Sequence, residues 1–339
     1  MNLADSTASS LGVLVIGGTG TISTEVVRRA SALGHRVTVL NRGRSAGKGR
    51  PGLPADVRLL AADVRDASAV RAALGDQRFD VVVDFLCFVP DHVRSDIELF
   101  GGRTGQYIFI SSASAYQTPP ARLPVTESTP LRNPFWQYSR DKIACEDLLV
   151  ATYRETGFPM TIVRPSHTYD ATSVPVEGGW TVVDRMRRGL PVVVPGDGTS
   201  LWTLTHSRDF AAAFVGLFGE PRTLGQAFHI TSDEALPWNR IYADLAAAAG
   251  VEPVLVHVPS EVIAAHDPEV GAGLLGDKAH SMVFDNSLVR SVVPGWRALT
   301  TFARGAREIV AWHDADPDRR QVDERANALF DRLVGAYRP

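Results

Sequence analysis

Short apolar runs alternate with amphipathic segments through the first half of the chain. LGVLVIGG (11–18) is apolar almost throughout and ends in glycines, TEVVRRASALG (24–34) sets its apolar residues at helical spacing, and HRVTVLNR (35–42) is strand-like again. The same alternation continues downstream. DVRLLAADV (56–64), FDVVVDFLCF (79–88), GQYIFISS (105–112) and MTIVRPS (160–166) read as short buried strands, with DASAVRAALG (66–75) and SRDKIACEDLLVATYRETG (139–157) as helices between them. Near-continuous apolar strands separated by helices predict an α/β fold, a parallel sheet covered on both faces.

After Arg164 the texture changes to proline- and glycine-rich connections around 170–200 and a mixed C-terminal portion. This predicts a first domain from residues 1–165 plus 197–235 and a smaller C-terminal substrate-binding lobe from 166–196 plus 236–339. HSRDFAAAFVGLF (206–218) and AFHITS (227–232) return the chain to the first domain.

Composition narrows the partners. A net charge of −3 and 45% hydrophobic residues describe a near-neutral globular chain, without the basic stripe that nucleic acid binding needs. No run reaches the roughly 18 apolar residues of a membrane span. The opening MNLADSTASS lacks the basic and apolar blocks of a signal peptide and is expected to form an irregular tail. Two cysteines, Cys87 and Cys145, are too few for a disulfide framework, so a cytoplasmic location is expected. Only three lysines occur, Lys48, Lys142 and Lys278, among 35 basic residues, which draws attention to positions that need a compact ammonium.

GGTGTIS (17–23) lies between the first strand and the first helix, where a phosphate-binding turn of a Rossmann-type doubly wound sheet belongs. Its glycines permit close approach of backbone to a pyrophosphate, and the helix N-terminus offers amides to it. Gly17, Gly20, Thr21 and Ile22 are the candidate contacts, and Ser23 stands where a third glycine is common. The second strand ends in Asn41, Arg42, Gly43, Arg44. An uncharged Asn41 with Arg42 and Arg44 beside it accommodates a 2′-phosphate and tilts NAD or NADP toward NADP. Asp63 and Val64, after the third strand, are placed to meet the adenine, with a helix N-cap for DASAV as the structural alternative for Asp63.

SSASAY (111–116) ends one strand and YSRDK (138–142) opens a helix, with Tyr138 and Lys142 on one helical face. A tyrosine with an ordinary pKa of about 10 is a proton-transfer group near neutral pH if a neighbouring ammonium and a nicotinamide stabilise its phenolate. Together these motifs resemble the extended short-chain dehydrogenase/reductase family, in its epimerase/dehydratase branch. ESTP (127–130), RPSHTY (164–169), GDG (196–198) and HSRD (206–209) carry the same likeness over nearly the whole chain. The resemblance implies catalysis by Ser112, Tyr138 and Lys142, Lys142 binding the nicotinamide ribose and lowering the Tyr138 pKa while Ser112 holds the reacting oxygen. Arg164 and Ser166 join Lys142 as expected cofactor contacts.

The chain also departs from that pattern. Relatives acting on nucleotide-diphosphate sugars resemble one another in carrying an arginine four residues beyond the last glycine of GDG, and Trp202 stands there instead. An indole offers stacking area but no positive charge for a diphosphate. Trp180, Trp202, His167, Cys87 and Ser112 are the candidate contacts to a sugar-like or nucleoside-like substrate, with burial in the core as the structural alternative for the two tryptophans and Cys87, and a loop hydrogen bond for His167. Three readings follow: an epimerase or dehydratase that oxidises an alcohol transiently, an NADPH-dependent reductase or dehydrogenase of a small carbonyl compound, and a non-catalytic nucleotide- or RNA-binding protein. The last is similar to the chloroplast stem-loop-binding relatives through GGTGTIS, VLNRG and FHITSDE (228–234), although the charge argues against nucleic acid as partner. Helices flanking such a sheet also suit a homodimer.

Overall fold

The computed structural model describes residues 10–43 and 52–337. The chain runs β1 (Gly12–Ile16), α1 (Thr21–Ala32), β2 (Arg36–Asn41), β3 (Arg58–Ala61), α2 (Ala67–Leu74), β4 (Phe79–Asp84), α3 (Pro90–Phe100), β5 (Thr104–Ile110), α4 (Gln137–Thr156) and β6 (Met160–Pro165). It continues with β7 (His167–Tyr169), α5 (Trp180–Arg187), β8 (Val192–Pro195), β9 (Leu201–Trp202), β10 (Leu204–His206), α6 (Ser207–Val215), β11 (Ala227–Ile230), β12 (Leu236–Pro237), α7 (Trp238–Ala249) and β13 (Leu255–Val258). The last helices are α8 (Ser260–His266), α9 (Pro268–Gly273), α10 (Ser287–Val292), α11 (Phe302–Asp314) and α12 (Glu324–Tyr337).

Seven parallel strands form the main sheet in the order β11-β6-β5-β4-β1-β2-β3, a Rossmann-type doubly wound arrangement. Alternation along β1 explains why the sheet needs helices on both sides. Val13 and Val15 pack with Val26 and Val27 of α1 and with Phe210 and Phe214 of α6. Leu14 and Ile16 face Val70 of α2 and Cys145 and Leu149 of α4. Each such side chain, fully buried, contributes about 1.5–3 kcal/mol. From β1 the chain winds outward through β2 to β3, then returns across β1 to β4 and winds the other way. The carboxyl ends of β1 and β4 therefore flank the switch point where ligands of such sheets bind.

The smaller body centres on the parallel β8·β13 pair, with Val182, Tyr242, Leu245, Ile309 and Phe330 in its core. Trp202 and Trp238 stack there, ring centroids 6.2 Å apart. Two placements differ from the sequence expectation. Val289 of α10 and the following Trp296 pack with Phe210 and Phe214 against the main sheet, so residues 287–296 serve the first body. Trp296 Nε1 also donates to Asp209 O at 2.9 Å. Conversely β9, expected with the sheet, pairs with β12 and buries Trp202 in the smaller body. Apolar spacing says that a segment is buried, and not which partner buries it.

Candidate active site

The glycine-rich turn is closed by its own side chains. Gly17 has φ +81°, and a Cβ there would lie 2.7 Å from Leu86 Cγ. A Cβ on Gly18 would lie 2.8 Å from Val39 Cγ2 and 3.2 Å from Val27 Cγ2, so this glycine lets β2 and α1 approach. Ser23 is more than a tolerated departure: its Oγ accepts from Gly20 N at 2.8 Å and donates to Gly17 O at 2.7 Å, stapling the turn across its width. Helix α1 begins at Thr21 with no acidic residue in its first turn. Positive backbone dipole, absence of side chains and position at the switch point together fit the pyrophosphate of a dinucleotide. Gly18→Ala is expected to lower stability by about 1–3 kcal/mol and to weaken nucleotide binding, measured by thermal unfolding and by titration with NAD and NADP.

Along the adenosine side, Asn41 Oδ1 accepts from Gly43 N at 2.8 Å, forming a local turn, and Arg42 is exposed. Arg44 lies outside the described residues. Asp63 Oδ1 accepts from Arg65 N at 3.0 Å, and Val64 is buried. The helix cap suggested for Asp63 belongs to Asp66, whose carboxylate accepts from Ser68 N and Ala69 N at 3.0 Å each.

Ser112 ends the run that leaves β5, and Tyr138 and Lys142 rise from the first turns of α4 beside it. The Ser112 hydroxyl stands near enough to Tyr138 to favour its phenolate. Lys142 is buried, and its Nζ donates to Cys87 O at 2.6 Å and Ile110 O at 2.7 Å. The Nζ lies 5.7 Å from the Tyr138 ring centroid and 4.8 and 4.9 Å from those of Phe88 and Phe109. Two of the three ammonium donors are thus committed to backbone, leaving one for a ligand.

One electrostatic expectation is corrected. The protein alone does not depress the Tyr138 pKa: burial pushes it up to about 12, with the Asp277 carboxylate adding to the rise and only Ser112 opposing it. Burial also lowers the Lys142 pKa, against nearby Cys87, Cys145, Asp84 and Glu146. Tyr138 is therefore a protonated phenol at neutral pH.

Several expected contacts are turned elsewhere. Cys87 is fully buried with its sulfur against Cys145 and near Asp84 and Asp96, so its carbonyl, and not its thiol, reaches the site. Arg164 is engaged by Glu146, with Nε to Oε1 at 2.9 Å and Nη2 to Oε2 at 2.5 Å, and lies 4.8 Å over the Tyr116 ring. Ser166 Oγ pairs with Thr205 Oγ1 at 2.7 Å in the interior. Trp180 stacks on His313 at 4.3 Å within a small core with Val183 and Val310. Trp202 is core as well, packed on Trp238 in the smaller body. His167 is half-buried and held neutral, its pKa pushed down to about 3 by burial and by Lys278.

Residues without a sequence signal complete the surroundings. Trp136 packs on Tyr138 with centroids 4.8 Å apart, and beyond it opens a cavity of about 300 Å³. Trp136, Leu274 and Phe330 supply apolar wall, and Glu177, Lys278 and Arg325 are among its polar groups. Leu274–Lys278 form one π-helical turn, a local winding that hydrophobic spacing does not announce. It brings Asp277 toward Tyr138 and places Lys278 Nζ 5.8 Å from the Trp136 ring.

The profile of the NAD dependent epimerase/dehydratase family matches residues 13–230. The chain is similar to 2'-dehydrokanamycin reductase of Streptomyces kanamyceticus, 28% identical over 301 residues that cover 87% of this chain and 83% of the relative. It is also similar to chloroplast stem-loop binding protein of 41 kDa b of Arabidopsis thaliana, 28% identical over 263 residues, 74% of this chain and 67% of that one. Among solved structures, an epimerase from Methanothermobacter thermautotrophicus superposes with a TM-score of 0.75 at 13% identity, covering 92% of this chain and 94% of that one. UDP-glucose 4-epimerase of Bifidobacterium longum, solved with NAD+ and UDP, gives 0.71 at 20% identity over 91% and 99%.

Proposed function

The chain belongs to the NAD dependent epimerase/dehydratase family, and from that premise we propose that it acts on a secondary alcohol of a sugar-like or nucleoside-like small molecule through Ser112, Tyr138 and Lys142. The observation that carries this reading is the meeting of the three beside the switch point. Ser112 stands beside the Tyr138 phenol and favours its phenolate, and Lys142 is fixed by two carbonyls within 5.7 Å of that ring. NAD or NADP, when bound, supplies the hydride chemistry. Tyr138 Oη passes a proton to or from the substrate oxygen, Ser112 holds that oxygen, and Lys142 offers its remaining N–H to the ribose. Trp136 walls the cavity in which the rest of the substrate is held.

In the epimerase or dehydratase reading the alcohol is oxidised only transiently and the nucleotide stays bound through each turnover. A second reading, net reduction of a carbonyl compound with NADPH, is favoured by two observations. The Tyr138 phenol is protonated at neutral pH and so is poised to give a proton to a carbonyl oxygen. The relative matched over 83% of its length is named a 2'-dehydrokanamycin reductase, which brings dehydrokanamycin-like compounds within the substrate class. The stem-loop-binding relative keeps the non-catalytic reading in view, against the chain's net charge of −3.

Denaturing freshly purified protein and identifying the released nucleotide by absorbance and mass separates these readings. Stoichiometric NAD or NADP is the result expected for transient oxidation. An empty protein that binds NADPH reversibly transfers the proposal to the reductase, and one that binds neither nucleotide overturns both.

A further inference from the structure

Behind Ser112 stands a chain of buried hydroxyls. Ser139, next to Tyr138 on α4, is fully buried and donates from Oγ to Ser114 Oγ at 2.7 Å. Ser114 Oγ lies 2.8 Å from Ser112 Oγ, and Ser114 N donates to Ser112 Oγ at 3.2 Å. Asn133 pins the turn that carries Ser114, its Nδ2 donating to Ser114 O at 2.8 Å and to Gly276 O at 2.6 Å.

Each hydroxyl has one proton to give, and that fixes the direction of the chain. Ser114 accepts from Ser139, so its own proton goes to Ser112. Ser112 then accepts twice from Ser114, and its remaining O–H is directed outward to the phenol and the reacting oxygen. The reverse order would have Ser112 donate inward. Ser114 would then accept twice, and its own buried proton would face no acceptor among the described neighbours, a costly arrangement where water is excluded.

We propose that Ser139 and Ser114 are positioning residues that orient the Ser112 hydroxyl toward Tyr138 and the substrate oxygen. The proposal rests on the site reading given above. It makes Ser139 the director of the chain: without it, the Ser114 hydroxyl can turn its proton into the space that Ser139 Oγ leaves, where a water can accept it, and its lone pair then accepts from Ser112 and draws that proton away from the phenol.

The test is an ultraviolet difference titration of Tyr138 in the intact protein, taken against Tyr138→Phe, which needs no substrate. The other charged groups near the phenol are Lys142 on its own helix and, on the facing π-helical turn, Asp277 with Lys278 paired to it at 3.0 Å. All three stay the same in every variant. Ser139→Ala is expected to raise the Tyr138 titration midpoint by about one pH unit, as Ser112 ceases to stabilise the phenolate, and turnover falls about tenfold. Adding Ser114→Ala removes the competing acceptor, so the double variant is expected to titrate closer to the parent than Ser139→Ala does. A merely structural role for Ser139 predicts the opposite order, or no movement, and either result overturns the proposal. Ser139→Cys, similar in volume but a weak donor, gives the same readout if the alanine variant does not fold. Full turnover by Tyr138→Phe would instead sink the underlying site reading, whatever the serine variants show.

Discussion

Replacing Tyr138 by phenylalanine is expected to lower turnover by about 10³-fold, within the range that loss of a positioned acid or base produces. Nucleotide affinity should stay within about twofold of the parent, because the substitution removes an interaction made at the reacting oxygen and spares uniform binding. The fold has little reason to suffer. The ring keeps its packing against Trp136, and Oη is the only atom lost. A pH signature accompanies the kinetic one. Burial raises the Tyr138 pKa to about 12, above the value of about 10 expected in the unfolded chain. Between pH 10 and 12 the unfolded phenol therefore ionises first, the unfolded state binds fewer protons, and stability falls as pH rises. Below pH 10 this contribution is fully present. Tyr138→Phe should remove that part of the alkaline decline in unfolding free energy, as measured by denaturant titration across this range. For the chemistry, the same shift means that the oxidative direction speeds up with rising pH while the reductive direction holds until the phenol ionises. A variant that turns over at the parental rate would remove Tyr138 from the mechanism.

The sheet was readable because its information is local. Val13 to Ile16 alternate between two buried faces, and GGTGTIS follows at once, so one short window carries strand, turn and helix start. Ser112 and Tyr138 could be placed for a related reason: they stand just past the end of β5 and at the start of α4, boundaries that the same pattern defines, and Lys142 follows one helical turn later. Direction at a strand end was not readable. Cys87 lies just past β4, and which way its thiol points depends on Cys145 and Asp96 from two other elements. Trp180 and Trp202 carried the right chemistry for a pocket, but His313 and Trp238, far away in sequence, claim their faces. Trp136 caps the helix two residues before Tyr138 and was missed because no spacing rule turns its ring back onto that phenol, and the Asp277–Lys278 turn was missed because it comes from the smaller body through a π-turn without periodic signature. The hydroxyl chain shows the same limit. SSASAY displays three serines, and only the partner helix reveals that Ser114 faces Ser139.

Arg164 offers the sharpest contrast between a sequence expectation and its structural outcome. Its guanidinium and the Glu146 carboxylate are both almost fully removed from water, with side-chain exposures of 6% and 3%. Ser111 Oγ donates to the same carboxylate at 2.5 Å, and Tyr116 stacks beneath the guanidinium. Glu146, its hydrogen bonds and its charge drive the Arg164 pKa further up despite burial, so the guanidinium stays charged through the accessible pH range. Removing one member leaves the other charged, buried and unpaired. Arg164→Leu is accordingly expected to destabilise the protein by about 3–5 kcal/mol, a large share of the 5–15 kcal/mol typical of a whole fold. Arg164→Leu with Glu146→Leu should recover most of that loss, since two apolar side chains of similar size replace the pair without stranding a charge. Calorimetric unfolding of the parent, both single variants and the double variant gives the coupling directly. If Arg164 served the nucleotide instead, the double variant would regain its stability and still lose affinity for NAD. The buried pair predicts that whatever folds binds NAD as the parent does.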